Sequence, residues 1–193
     1  MLTTLAKLKT RLGIQDADVK DDALLNDFLL AASARFENDC NRTFGYGASV
    51  IEEFGGNEFL LRVARYPIDE SITATFAIQQ SVALGWEPQV VDYLLRGGCV
   101  FDLGSPMSSE KCKARVTYAG GYQLPGANQP GSVALPDDLS GACVEQAAYY
   151  FQNKDRLGIT SMSGQGGSLN QFSGLDLLPS VAAVLKKYER WLN

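Results

Sequence analysis

Three pairs of neighbouring acidic residues are the first candidates for chemistry in this sequence: Glu52-Glu53, Asp69-Glu70 and Asp137-Asp138. Two carboxyl groups on facing sides of a sugar are enough to cleave a glycoside. Neighbouring residues on a strand point to opposite faces, so none of these pairs forms a catalytic dyad by itself. We interpret them as a solvated strand, a turn and a helix cap. A small carboxylate-dependent hydrolase stays as an alternative that needs two distant acids in one pocket.

The other usual catalytic and metal-binding residues are scarce. The sequence has no histidine, which excludes Ser-His-Asp and Cys-His nucleophiles and histidine-ligated metals. Its four cysteines, Cys40, Cys99, Cys112 and Cys143, never pair as C-x-x-C. We interpret them as small hydrophobic residues in a reducing compartment. We therefore predict no enzymatic activity, no cofactor and no metal.

The glycine pair Gly120-Gly121 lies between Tyr118 and Tyr122. A phosphate-binding loop needs glycine N–H groups at a helix N-terminus directly after a strand. Here the next helix signal comes only after Pro136. The pair is therefore predicted to be a structural turn that ends a strand.

A second glycine-rich stretch, "TSMSGQGGSLNQFSG", is polar and rich in serine. It predicts a flexible linker over about 159–178. No strand signal precedes it, so we interpret it as a linker or an interaction loop rather than a nucleotide-binding loop. The candidate loop residues are Gly164, Gly166, Gly167 and Phe172.

The net charge of −5, from 17 Lys and Arg against 22 Asp and Glu, disfavours tight binding of nucleic acid through its phosphates. DNA that passes nearby without binding is still allowed. No stretch of about twenty apolar residues predicts a membrane span, and the first residues do not resemble a secretory signal. We expect synthesis in a cytosol.

Helical periodicity predicts two helices near the start of the chain and two near its end. The first covers Thr4–Leu12, with Lys7, Lys9 and Arg11 off its apolar stripe. The second begins at a cap formed by Asp21 or Asp22 and ends near 41–45. The third follows Pro136, and the fourth opens with Pro179. Side chains on one face of the fourth helix are either core residues or an exposed anchor for a partner: Leu185, Tyr188, Trp191 and Leu192.

Between about 48 and 119 the period changes to two. Alternation predicts strands around Phe59–Val63, Ile72–Ile78, Val90–Leu95, Cys99–Leu103 and Lys113–Tyr118, with a hairpin turn at Gly97-Gly98.

These elements predict an α+β fold: a helical bundle of two N-terminal and two C-terminal helices with a central antiparallel β-sheet insertion. The predicted parts are residues 1–46, 47–120 and 121–193, within one compact domain overall.

The order of several segments resembles the head–tail connector proteins of tailed bacteriophages, also called adaptor or head-completion proteins. In chain order the segments are "LAKLKTRLGI", "DDALLNDFLLAASARFENDCNRTF", "RYPI", "VTYAGGY", "LPDDLSGACVEQAAYYFQNKDRLGITS" and "LPSVAAVLKKYERW". "GQGGSLNQFSG" departs from that pattern.

The resemblance implies a structural virion protein made in the host bacterial cytoplasm. It implies a ring, commonly of twelve subunits, that docks beneath the portal protein, extends the DNA channel after packaging and offers a platform to the next neck or tail protein. By the same analogy, Pro179–Asn193 is the candidate portal contact, and 138–157 is a candidate for subunit packing. Since a ring needs head-to-tail interfaces, we expect one patch on the helices and another on the sheet. Another neck or tail-completion protein is the alternative.

Overall fold

The computed structural model describes residues 1–108, 111–127, 133–156 and 176–190. Over these residues the chain is a mixed α+β protein with four helices and antiparallel sheets. It divides into two compact units. The helical unit consists of 1–40 and 135–193, and the β unit consists of 41–134. The β unit is thus inserted, in sequence, between the two halves of the helical unit.

The helical unit contains α1 (Leu5–Leu12), α2 (Asp22–Asp39), α3 (Asp137–Gln152) and α4 (Pro179–Leu185), with a 3₁₀ turn at Lys154–Arg156. The ends of α1 follow local signals. The Thr4 hydroxyl accepts the Lys7 N–H at 3.3 Å, and Gly13 ends the helix with φ of +71°, a conformation that glycine adopts at little cost. No helix among the described residues is long and apolar enough to cross a membrane.

Apolar residues that recur at helical spacing along α2 and α3 form the buried faces of these helices. The buried ones are Leu25, Leu29, Ala32, Phe36, Leu139, Ala142, Cys143, Ala147 and Tyr150, with Gln146 among them, and Phe28 on the same side of α2 is half-buried. Burial in the helical unit raises the pKa of the Cys143 thiol to about 11, because desolvation disfavours the charged thiolate. Cys143 is therefore a neutral core residue.

Two details of the helix starts differ from the sequence-based expectation. Asp21 makes no side-chain cap, and Asp22 is the first residue of α2. The Asp22 carboxylate instead lies 2.6 Å from the Lys9 ammonium. Lys9 is only 3% exposed, and its Nζ also donates to the carbonyl oxygens of Asp16 at 3.2 Å and Asp18 at 2.8 Å. These contacts allow a lysine that is off the apolar stripe to be buried.

The β unit contains three groups of strands. A four-stranded antiparallel sheet has the order β1-β7-β3-β4, a three-stranded antiparallel sheet has the order β2-β6-β5, and β8 and β9 form a short parallel pair. The strands are β1 (Gly47–Gly55), β2 (Leu60–Arg62), β3 (Thr75–Gln79), β4 (Glu87–Gln89), β5 (Leu94–Arg96), β6 (Val100–Asp102), β7 (Lys113–Gly120), β8 (Tyr122–Gln123) and β9 (Val133–Ala134).

The two antiparallel sheets share one core. Its buried residues are Leu61, Val63, Ile68, Ala74, Phe76, Phe101, Leu103, Val116 and Tyr118. Phe101 lies at its centre, with ring centroids 5.7 Å from Phe76, 5.2 Å from Tyr93 and 5.7 Å from Tyr118, all in edge-on geometry. Aromatic pairs favour such tilted arrangements because the positive ring edge meets a negative face.

The strand predictions were right about type and less accurate about extent. The hairpin turn is confirmed, since Gly97 and Gly98 have φ of +57° and +64° between β5 and β6. The segment Val90–Leu95, predicted as one strand, was wrong in its bounds: β4 ends before it and β5 begins only at Leu94. Val90 is fully exposed, so this apolar side chain does not belong to a buried face of a strand.

Candidate partner-binding surfaces

The C-terminal segment, residues 176–190, is docked on the other helices of the helical unit. Val181 is fully buried and Leu185 is 4% exposed. Pro179 occupies the first turn of α4, where its missing N–H has no helical partner to lose. The inward face of α4 is therefore part of the core of the helical unit.

A fully buried glutamine holds the beginning of this segment. The Gln146 side-chain oxygen accepts the Leu178 N–H at 3.0 Å, and its amide nitrogen donates to the Asp176 carbonyl at 3.3 Å. Gln146 has no exposed surface, so each lost partner would leave a buried polar group without a bond. Asp176 and Leu178, which fall within the predicted linker, are thus tied to α3.

Polar contacts also hold the far end of the segment. The Tyr188 hydroxyl donates to Asp138 Oδ1 at 2.6 Å, and the Lys187 ammonium lies 3.5 Å from Asp138 Oδ2. The Arg190 N–H donates to the Cys40 carbonyl at 2.9 Å. The Tyr188 hydrogen bond is the main reason that the pKa of Asp138 is lowered, with the Leu139 N–H and Lys187 acting in the same direction. Asp138 is therefore a charged anchor for the C-terminal segment.

The structure places the predicted anchor residues as follows. Leu185 points into the core, and Tyr188 is half-buried against Asp138. Trp191 and Leu192 lie outside the described residues, as do the predicted loop residues Gly164, Gly166, Gly167 and Phe172. The exposed residues of the docked segment are Asp176, Pro179, Ser180, Ala182, Ala183, Lys186, Lys187 and Glu189.

Gly120 and Gly121 lie where β7 meets backbone from two other parts of the β unit. A Cβ on Gly120 would lie 2.9 Å from the carbonyl oxygens of Arg65 and Pro67, and one on Gly121 would lie 2.6 Å from the Gly45 oxygen. Gly121 has φ of +108°, which side-chain-bearing residues rarely adopt. Its N–H donates to the Pro67 carbonyl at 2.8 Å. Close backbone packing thus accounts for both glycines.

The acidic pairs make structural contacts rather than facing one another. Glu52 accepts hydrogen bonds from the Tyr118 hydroxyl and from the Ala64 N–H. Glu53 pairs with Arg115 at 2.7 Å, which is the first cause of its lowered pKa.

The second pair, Asp69-Glu70, lies in the β unit at a shallow cavity of about 350 Å³ that also includes Tyr93 and Leu94. Asp69 accepts hydrogen bonds from the Ser71 hydroxyl at 2.6 Å and from the Tyr46 hydroxyl at 2.8 Å, and these hydrogen bonds, led by that of Ser71, lower its pKa. The lowered pKa of Glu53 and of Asp69 is the opposite of the raised pKa that a general acid needs.

Among the described residues, exposed large apolar side chains are concentrated in the β unit. They are Ile51, Phe59, Leu60, Ile72, Val82, Leu84, Val90, Leu94 and Val133, against Met1, Val19 and Leu30 in the helical unit. Val82, at 89% exposure, and Leu84, at 62%, belong to the turn that joins β3 to β4. These two exposed apolar side chains lie close together on one turn, and contiguous exposed apolar patches often mark interaction sites.

A groove runs between α1 and α3 of the helical unit. One part has a volume of about 530 Å³ and is lined by Lys7, Thr10, Arg11, Gly141, Val144 and Glu145. The adjoining part, of about 350 Å³, shares Arg11 and Glu145 and includes Leu178 at the start of the docked segment. Two cations and one carboxylate therefore border an apolar floor. Sequence reasoning missed this groove, because only the packing of α1 on α3 creates it.

Residues 2–80 match the model of a protein family described as "Phage gp6-like head-tail connector protein". The matched part includes the "LAKLKTRLGI", "DDALLNDFLLAASARFENDCNRTF" and "RYPI" segments. The match confirms the resemblance to head–tail connector proteins and supports a structural connector role.

Two solved structures share the fold over almost the whole chain. A chain of the "Neck of empty GTA particle computed with C6 symmetry" is 18% identical with a TM-score of 0.61, and a chain of the "Virion of native gene transfer agent (GTA) particle" is 18% identical with a TM-score of 0.60. In each case the similarity covers 99% of this chain and 92% of the other. No curated protein matches this chain.

Proposed function

We propose that this protein is a head–tail connector subunit of a phage-type particle. In this proposal it forms a ring beneath the portal protein, extends the DNA channel after packaging and docks the next neck or tail protein. The observation that carries the proposal is the family match over residues 2–80, together with a fold similar to a chain of a C6-symmetric neck along 99% of this sequence.

The charge of the chain suits a channel component. A net charge of −5 gives DNA phosphates little to bind, because affinity for DNA depends on neutralising phosphates with Lys and Arg. DNA would then pass through the ring without specific binding. We expect twelve copies in the virion, a number compatible with a sixfold axis.

The C-terminal segment is the proposed portal contact. Its inward residues are committed to the helical unit, so a partner that binds the docked form meets the outward residues, above all Ala182 and Ala183. Leu185 would reach a partner only if α4 left its place. The small outward alanines allow a partner helix to approach closely.

Co-sedimentation of the full-length protein with the portal ring encoded in the same genome tests this function. We expect saturable binding that is lost when residues 179–193 are removed. Because that truncation also removes the buried Val181 and Leu185, a point variant is needed as well. Ala183→Arg should weaken binding about tenfold or more, since it places a long charged side chain in a close contact.

Ala23→Arg is the matched control, because Ala23 is exposed on α2 and outside the proposed contact. Equal loss of binding in both variants would exclude α4 as the contact. Absence of binding to the portal ring by the wild-type chain would refute the connector assignment. The same assay with the adjacent neck protein then tests the alternative of another neck or tail-completion component.

A further inference from the structure

We propose that the β3–β4 turn of one copy inserts into the groove between α1 and α3 of a second copy. The inference rests on the proposed ring and identifies the two different surfaces that a head-to-tail contact needs. The turn, residues 80–86, is called the apolar tip below. The cavity bordered by Lys7, Arg11, Gly141 and Val144 is called the α1–α3 groove.

The apolar tip is exposed at its end and fixed at its base. Val82 is 89% exposed and Leu84 62% exposed, yet the Leu84 N–H closes a tight turn onto the Ser81 carbonyl at 3.2 Å. At the base, the Arg115 guanidinium lies 3.8 Å from the centre of the Trp86 ring and pairs with Glu53. Such a tip loses little conformational entropy on binding, which favours association.

The α1–α3 groove offers a complementary surface. Val144 lies in its floor, and Gly141 is exposed beside it. Glycine inside a helix costs about 1 kcal/mol relative to alanine. An added Cβ at Gly141 would meet nothing within 4 Å, so the packing of this chain gives no reason for the missing side chain. Close approach of a partner's backbone at this position would explain why the residue is glycine.

The charged residues at the rim of the groove favour the apolar tip as its occupant. Lys7 and Arg11 are exposed at the rim of the groove, where Glu145 is hydrogen-bonded to the Ser180 hydroxyl at 3.1 Å. The tip is followed by Glu87, which is exposed and is the only charged residue between Gln79 and Val91. An apolar knob with one adjacent carboxylate therefore matches an apolar floor with a mostly basic rim. A second copy of this chain supplies that knob.

The first test is disulfide cross-linking between two variants of the full-length protein, each carrying Cys99→Ser to remove the partly exposed native thiol. Leu84→Cys is mixed with Gly141→Cys, with and without the portal ring. We expect a cross-linked dimer whose linked peptides contain positions 84 and 141. The control mixture, Leu84→Cys with Val19→Cys, uses another exposed apolar position and should give at least tenfold less dimer.

A charge exchange tests the pairing itself. Arg11→Glu and Glu87→Arg should each weaken self-association several-fold, measured by sedimentation velocity in the absence or presence of the portal ring. The double variant Arg11→Glu/Glu87→Arg should recover it, which a general effect on folding would not produce. Lack of recovery, or equal cross-linking in the test and control mixtures, would overturn the inference.

The experiments distinguish a failure of the connector function from a failure of the contact between the tip and the groove. Binding to the portal ring without the 84–141 cross-link would leave the connector function and remove this contact. A cross-link between positions 84 and 141 without portal binding would support this contact and refute the connector function. Loss of portal binding by Leu84→Asp with unchanged self-association would assign the tip to the portal protein and overturn the inference.

Discussion

The two units of this protein both bury polar groups, but they differ in how many apolar side chains they leave exposed. The helical unit buries charged and polar groups, such as Lys9 and Gln146, and gives each one partners. The β unit builds an aromatic core around Phe101 and leaves many apolar side chains exposed at its surface. The difference teaches that buried polar groups hold chain segments in place in both units, whereas most of the exposed large apolar side chains among the described residues belong to the β unit.

The largest expected effect comes from removing the centre of the β core. Phe101→Ala should lower the free energy of unfolding by about 3–5 kcal/mol, because it removes a fully buried ring and leaves a cavity. Chemical denaturation measures the loss, and amide exchange should show it in the β unit. Phe59→Ala, at a 44% exposed ring, is the control and should cost less than about 1 kcal/mol. Similar losses in both variants would contradict the assignment of the core.

The second largest effect is expected from replacing Lys9, the buried lysine of the helical unit. Lys9→Ala should cost about 3 kcal/mol, since it leaves Asp22 without its cation in a partly buried site. Lys20→Ala removes an exposed lysine just before α2 and should change the free energy of unfolding by less than about 0.5 kcal/mol. Denaturant titration of both variants checks this. An equal effect would mean that the Lys9 contacts contribute no stability.

Gln146 tests whether the C-terminal segment is held by its polar contacts. Gln146→Ala should cost about 2 kcal/mol, because it removes a fully buried side chain and two part-buried hydrogen bonds, to the Leu178 N–H and the Asp176 carbonyl. Hydrogen exchange should increase first in residues 176–190. Gln152→Ala, at an exposed position of the same helix, serves as the control. Unchanged exchange in 176–190 would show that Val181 and Leu185 hold the segment without Gln146.

The smallest effect is a pH dependence. The pKa of Asp138 is lowered in the folded protein, so its contribution to stability is present above the ordinary carboxyl pKa and is lost as the pH falls through the lowered value. Asp138→Asn should therefore reduce the acid sensitivity of the unfolding free energy, measured between about pH 2 and 6. Asp137→Asn is the neighbouring control. The same pH profile for the two variants would argue against the Tyr188 and Lys187 contacts.

Several features followed from local sequence alone. The apolar periodicity identified the buried faces of α2 and α3, and Thr4 and Gly13 marked the ends of α1. Alternation identified the buried residues Ala114, Val116 and Tyr118 of β7. These predictions succeeded because the period of a helix or strand and the conformational preferences of end residues are properties of neighbouring residues.

Other features depended on residues far apart in the chain. Burial of Lys9 required Asp22 and two loop carbonyls. The two sheets formed one core through residues of several strands, with Phe101 in contact with Phe76 and Tyr118. The α1–α3 groove exists because helices from opposite ends of the sequence pack together. The sequence by itself determined the four helices, the absence of histidine and the net charge, and it indicated five of the nine described strands but not β1, β4, β8 or β9. Tertiary structure decided which polar groups were buried and which apolar ones stayed exposed, because burial depends on long-range partners that no local period encodes.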